Sequence, residues 1–153
     1  MNHYIIDGNN VIGKIASLKK LQQKDKQGSR EKLVFMIDNF LHDKKVKCTI
    51  HFDGFEQVPI KANQCKVIYS NNKTADDKIK IQIEQTKNRK KLTVVTSDNN
   101  LKEFARVCSC EVLKSEDFGM MIRNPRTNDE QKIIDEMQKN VNEFRKLFGA
   151  DED

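Results

Sequence analysis

Five short apolar runs, rich in β-branched residues and separated by stretches of helical periodicity, constrain this chain more than any other feature. The strand candidates are residues 3–7, 46–53, 64–69, 92–97 and 111–113. Between them, 29–45 sets Leu33, Ile37, Phe40 and Leu41 on one stripe, with Ser29 placed to cap it. Residues 74–91 open on Thr74 with Asp77 three positions later, a capping box in which Asp replaces Glu, and Ile79, Ile83 and Thr86 follow at helical spacing. Residues 97–107 turn Leu101, Phe104 and Ala105 inward. Strands alternating with helices require βαβ crossovers, so the expected fold is α/β, with a mainly parallel sheet covered by helices on both faces.

After Pro125 the pattern changes. Thr127 and Glu130 make a capping box, Ile133, Ile134, Met137, Val141, Phe144, Leu147 and Phe148 form one apolar stripe, and Gly149 stops it. Residues 1–124 are therefore expected to form one domain. Residues 125–153 would be a C-terminal amphipathic helix and acidic tail packed on that domain, with docking of a partner as the other reading. No run approaches the ~20 apolar residues of a membrane span, and the first apolar stretch is too short for a signal peptide. Cytoplasmic residence is the expectation. The four cysteines fit a reducing compartment: Cys48 and Cys65 lie in strand-like runs, and Cys108 and Cys110 form a C-x-C that lacks zinc-site spacing. Net charge is +5, concentrated between Lys14 and Lys47 and in "KNRKK", Lys87 to Lys91. Such surface suits a polyanion, although a solvated lysine-rich face explains it equally well.

In open parallel sheets, function sits beyond the carboxyl ends of the strands. This sequence places Asp7, Asp53 and Asp98 there, with Asp76 and Asp77 at the start of the helix after the third strand. Each has a local role open to it: Asp7 and Asp53 precede glycines in turns, and the others suit helix N-termini. Together they would repel strongly unless a cation neutralised them. A hard divalent ion such as Mg²⁺ takes oxygen ligands and keeps several waters, and it can activate one of them against a phosphodiester.

The segments "YIIDGNNVIG", "SREKLV", "HFDG", "TADDKI" and "VVTSDNNL" occur in the order and approximate spacing of the NYN domain, most closely its YacP-like branch in the PIN-like nuclease group. The resemblance spans about residues 3 to 123. It implies a Rossmann-like α/β/α sandwich and a Mg²⁺- or Mn²⁺-dependent endoribonuclease acting on RNA, in part of the branch on mRNA at the ribosome. Asp7, Asp53, Asp76 and Asp98 match the family's acidic positions and are the expected catalytic residues, and Asp77 joins them as a metal ligand. Asn10 and Arg30 match family positions suited to substrate contact; Asn10 could instead orient Asp7 or cap a helix, and Arg30 could instead brace the acids. Lys14 and Asn99 complete the expected substrate contacts. Asn9 stands where the family pattern has an aromatic, and Asp77 where Glu is usual.

Rival readings remain. An RNA- or ribosome-binding module without turnover would carry the same basic surface. A metal-free ribonuclease would need His51, two residues from Asp53 on one strand face, and a second histidine is missing. A dinucleotide enzyme is disfavoured because "DGNNVIG" lacks the G-x-G-x-x-G turn, and no P-loop is present.

Overall fold

The computed structural model describes residues 2–123. In chain order these form β1 (Asn2–Asp7), α1 (Gly8–Lys14), α2 (Ala16–Lys24), α3 (Lys26–Leu41), β2 (Val46–Phe52), β3 (Cys65–Tyr69), α4 (Ala75–Gln85), β4 (Leu92–Val95), α5 (Asn99–Val107), β5 (Glu111–Leu113) and α6 (Ser115–Ile122). All five strands run parallel, in the order β3-β2-β1-β4-β5. The expected helix after Pro125 and the expected domain boundary lie outside the described residues. Among those described, no helix is long and apolar enough to cross a membrane.

Alternation along the strands sorts the core into two layers. Ile6 of β1, Ile50 and Phe52 of β2 and Val95 of β4 pack under α1, α2, α3 and α6, against residues such as Ile12, Leu18, Leu33 and Phe118. Ile5 and Val94 face the other way, onto Ile79 and Ile83 of α4 and Leu101 and Ala105 of α5. The chain leaves β1 on one side for β2 and β3, then crosses to the other side for β4 and β5. The carboxyl end of β1 is thus the reversal point at which doubly wound sheets hold their ligands.

The helices depart from expectation in instructive places. "DGNN" is not a loop: α1 starts at Gly8, directly after β1. Glycine and asparagine are poor helix formers, and tertiary packing overrides that preference. Val11 and Ile12 are fully buried, worth about 1.5–3 kcal/mol each. Gly8 is required by close approach, because a Cβ there would lie 2.5 Å from Phe52 Cε1 and 2.8 Å from the His51 carbonyl oxygen. Gly8→Ala is therefore expected to cost about 1–3 kcal/mol; an unshifted urea midpoint would show that this contact is looser than drawn.

The second expected helix begins earlier, at Lys26, with Asp25 as its cap accepting from Gly28 N at 2.9 Å. Ser29 lies inside α3, donating to the Lys26 carbonyl. The capping box of Thr74 and Asp77 forms as expected. However, α4 ends at Gln85, and "KNRKK" is not helical except for a single 3₁₀ turn at Arg89–Lys91. Arg89 folds back instead, donating to the carbonyls of Ile83 (3.2 Å) and Glu84 (3.1 Å) and so capping α4. Helices α2 and α6 were not apparent in the periodicity.

Candidate active site

β1 delivers Asp7 as its last residue, Asp53 follows the end of β2, and Asp76 sits in the first turn of α4. Asp7 is half-buried and is pushed up to about 6 from its ordinary 3.8, chiefly by burial. Hydrogen bonds from Thr96 and the Asn10 backbone lower it, and the charges of Asp53 and Asp76 raise it further. The charges of two acids from two other segments therefore reach Asp7.

Each is fixed by its surroundings. Thr96 Oγ1 donates to Asp7 Oδ2 at 3.0 Å. Asn9 Oδ1 accepts from the Asp53 backbone N–H at 2.8 Å, Arg30 Nη2 donates to the Asp53 carbonyl at 2.8 Å, and Ala75 N donates to Asp53 Oδ1 at 2.8 Å. Asp76 pairs with Lys80 at 3.0 Å, one helical turn on. Asp98 is joined to the group through Thr96, since its N–H donates to the same hydroxyl at 3.2 Å. One Asp98 oxygen caps α5 by accepting from Leu101 N at 3.0 Å, the local role open to it from the sequence. Asp77 closes its capping box, accepting from Thr74 N at 3.4 Å.

The expected substrate contacts divide similarly. Asn10 is in the first turn of α1 rather than at its cap, and its Oδ1 accepts from Ser97 N (2.9 Å) and Ser115 Oγ (2.6 Å). It ties β1 to the end of β4 and the start of α6. Arg30 is buried, with its guanidinium 5.0 Å from the Phe52 ring centre and its Nε unpartnered among the described residues. Its bond to the Asp53 carbonyl braces the segment that leaves β2. Lys14 is exposed near Glu116 of α6, whose carboxyl it helps to hold below its usual range after the Ser97 hydroxyl bond. Asn99 is exposed at the start of α5.

Sequence reasoning missed Thr96, Asn9 and Glu116. Thr96 was within reach: Ile6 pairs with Val95 across β1 and β4, so the next position along places a hydroxyl beside Asp7. Glu116, which accepts from Ser97 Oγ, belongs to a helix that was not foreseen.

His51 does not form the pair with Asp53 that a metal-free ribonuclease would need. It is 2% exposed, and its Nε2 lies 2.7 Å from Gln82 Oε1. Gln82 in turn donates to Thr49 Oγ1 at 3.1 Å, closing a polar cluster under α4. Burial lowers the His51 pKa, so the ring is a neutral part of the interior. All four cysteines are free thiols, and burial pushes Cys110 up to about 11.

The donor set is all oxygen, which suits a hard cation rather than zinc. Among the described residues no three His, Cys, Asp or Glu side chains form a group that could hold a metal ion. Mg²⁺ needs no such trio, since it binds through one or two carboxylates and retains waters.

A model of the YacP-like NYN domain matches residues 4–151. The crystal structure of a tryptophan-to-leucine mutant of Rae1 (YacP) from Bacillus subtilis is similar, with a TM-score of 0.71 and 19% identity over 92% of this chain and 84% of that one. A second Rae1 (YacP) structure from Bacillus subtilis gives a TM-score of 0.68 and 18% identity over 97% and 84%. At these identities the likeness shows the fold, a PIN-like α/β architecture. No curated protein matches.

Proposed function

Since this chain belongs to the YacP-like NYN domain family, a family of nuclease domains, we propose that it is a divalent-metal-dependent endoribonuclease. The observation that carries this reading is the placement of Asp7 at the reversal point of the sheet, with Asp53 Oδ1 accepting from the N–H of Ala75, the residue before Asp76. One or two of Asp7, Asp53 and Asp76 would hold Mg²⁺ or Mn²⁺ directly and the rest through its waters, with Asp98 at the margin; when bound, the ion supplies charge neutralisation and a water of lowered pKa. The chain's own groups do the rest. Thr96 orients Asp7 through Oδ2, while Asn9, Arg30 and Ala75 lock the Asp53 segment so that its carboxylate cannot turn away from the phosphate. The substrate is RNA, with ribosome-associated mRNA the setting that the family likeness suggests.

The test is cleavage of RNA and DNA by the pure protein with Mg²⁺, Mn²⁺ or EDTA. RNA cleavage that needs the ion supports the reading, and cleavage undiminished in EDTA overturns it. RNA affinity without cleavage under either ion would leave the binding module instead.

Exposed Lys14, Lys19, Lys20, Lys24 and Lys26 run along α1 to α3, a track for the phosphate backbone. Affinity for single-stranded RNA should then fall by about 0.7 log units per log unit of salt for each phosphate neutralised. Roughly four such contacts give about a 50-fold loss between about 50 and about 200 mM salt. Titration by fluorescence anisotropy reads this directly, and a flat response removes the track.

A further inference from the structure

Beside the acidic group, the segment leaving β2 encloses a cavity of about 190 Å³, lined by Lys26, Gln27, Arg30, Asp53, Phe55 and Gln57. Sites that enclose a whole small molecule run to roughly 300–1,000 Å³, so this one has room for a single piece of a longer ligand. Asp53 belongs to both the cavity and the acidic group. Whatever occupies the cavity therefore lies next to whatever meets the carboxylates.

The cavity is built rather than incidental. Gly54, at φ +86, turns the chain immediately after Asp53, a conformation that disfavours any residue with a Cβ. Its N–H donates to Ser70 Oγ at 2.9 Å, and its carbonyl accepts from Asn71 N at 2.8 Å. Phe55 follows this pinned turn and is 54% exposed, at the cost of about 1.5–3 kcal/mol that its burial would contribute. Opposite, Arg30 is only 3% exposed, held by the Asp53 carbonyl and the Phe52 and Tyr69 rings. It presents a charge that cannot swing away. Lys26 adds an exposed one. Gln27 spends its amide N–H groups on Glu31 (3.3 Å) and the Val58 carbonyl (3.0 Å), steadying the wall.

An open aromatic face beside two cations is the composition that takes an unpaired nucleotide, with the base stacked and the phosphate paired. We propose that this cavity is a nucleotide subsite. It holds the nucleotide adjacent to the phosphate at Asp7, Asp53 and Asp76, stacks its base on Phe55 and sets its phosphate against Lys26 and Arg30. The inference rests on the reading of the chain as a ribonuclease and adds a selectivity to it: the strand entering the site is single, because paired bases have no free face for Phe55.

The experiment compares Phe55→Ala and Phe55→Trp in an Asp7→Asn background, so that the RNA survives. The probes are a fluorescein-labelled oligoadenylate and the same oligomer with abasic riboses, and the parent chain's cleavage of the oligoadenylate is followed alongside. Phe55→Ala is expected to weaken oligoadenylate binding about tenfold and to leave the abasic oligomer unaffected. Phe55→Trp should restore the affinity. Equal binding of both oligomers before and after Phe55→Ala, or equal weakening of both, overturns the subsite while continued cleavage by the parent chain keeps the ribonuclease reading standing. Failure of the parent to bind or cleave any RNA removes that reading, and the subsite falls with it.

Discussion

Replacing Asp7 with asparagine is expected to abolish RNA cleavage and, in the same variant, to stabilise the ion-free protein at neutral pH. The two effects have one origin. Burial, Asp53 and Asp76 disfavour the charged form of Asp7 and raise its pKa from 3.8 to about 6. A folded-state pKa above the unfolded value means that the folded chain binds the proton more tightly. Stability therefore falls as pH rises between about 4 and about 6, and the loss is complete at pH 7. The rise in pKa corresponds to about 3 kcal/mol, an upper bound because asparagine must still satisfy Thr96 and the Asn10 N–H. That is a gain of roughly 6–12 °C in Tm for a chain of this size. Thermal unfolding in EDTA at pH 7 and pH 4 checks both sign and window, since the variant's advantage should vanish at the lower pH. A variant less stable than the parent at pH 7 would refute the account. Cleavage should also decline at acid pH, at a point set by the ion concentration, because the proton and the ion compete for the Asp7 carboxylate.

The second large effect is the converse. Mg²⁺ or Mn²⁺ should raise the Tm of the parent chain and leave that of Asp7→Asn almost unmoved. An ion at about a hundred times its dissociation constant stabilises by about 2.7 kcal/mol, enough to remove most of the strain that Asp7 carries alone. Because the proton and the ion compete for one carboxylate, apparent ion affinity should weaken as pH falls through about 6. Chelation should stop cleavage, and either ion should restore it. An identical Tm for the parent with and without ions, together with cleavage in EDTA, would sink the site.

What was legible in the sequence was local. The five strands announced themselves as short apolar runs rich in β-branched residues, and Thr74 with Asp77 spelled out a cap whose partners are three residues apart. The convergence of Asp7, Asp53 and Asp76 followed from knowing which strand ends share an edge. Helix α1 was illegible because its support comes from elsewhere: Asn9 reaches the β2 end, Asn10 reaches β4 and α6, and Gly8 rests on Phe52. Residues that look like turn formers are clasps between distant segments. Ser29 was the cap that the sequence offered, and the helix starts a turn earlier because Asp25 accepts from the backbone N–H of Gly28. Asp77, counted among the ligands, proved to be engaged by the very box that made its helix recognisable.

The absence of any loop between β1 and α1 divides the site into two kinds of material. Asp7 is cantilevered from a rigid strand-to-helix joint, and the acids cannot be re-spaced without rebuilding the core beneath them. Residues 53–64 carry no helix or strand, and such segments accept changes of length and composition at little thermodynamic cost. Diversification of what the site will accept should therefore be written into that segment, as interchangeable tooling on a fixed chuck. Transplanting a different 55–64 stretch should redirect preference without disturbing the chemistry.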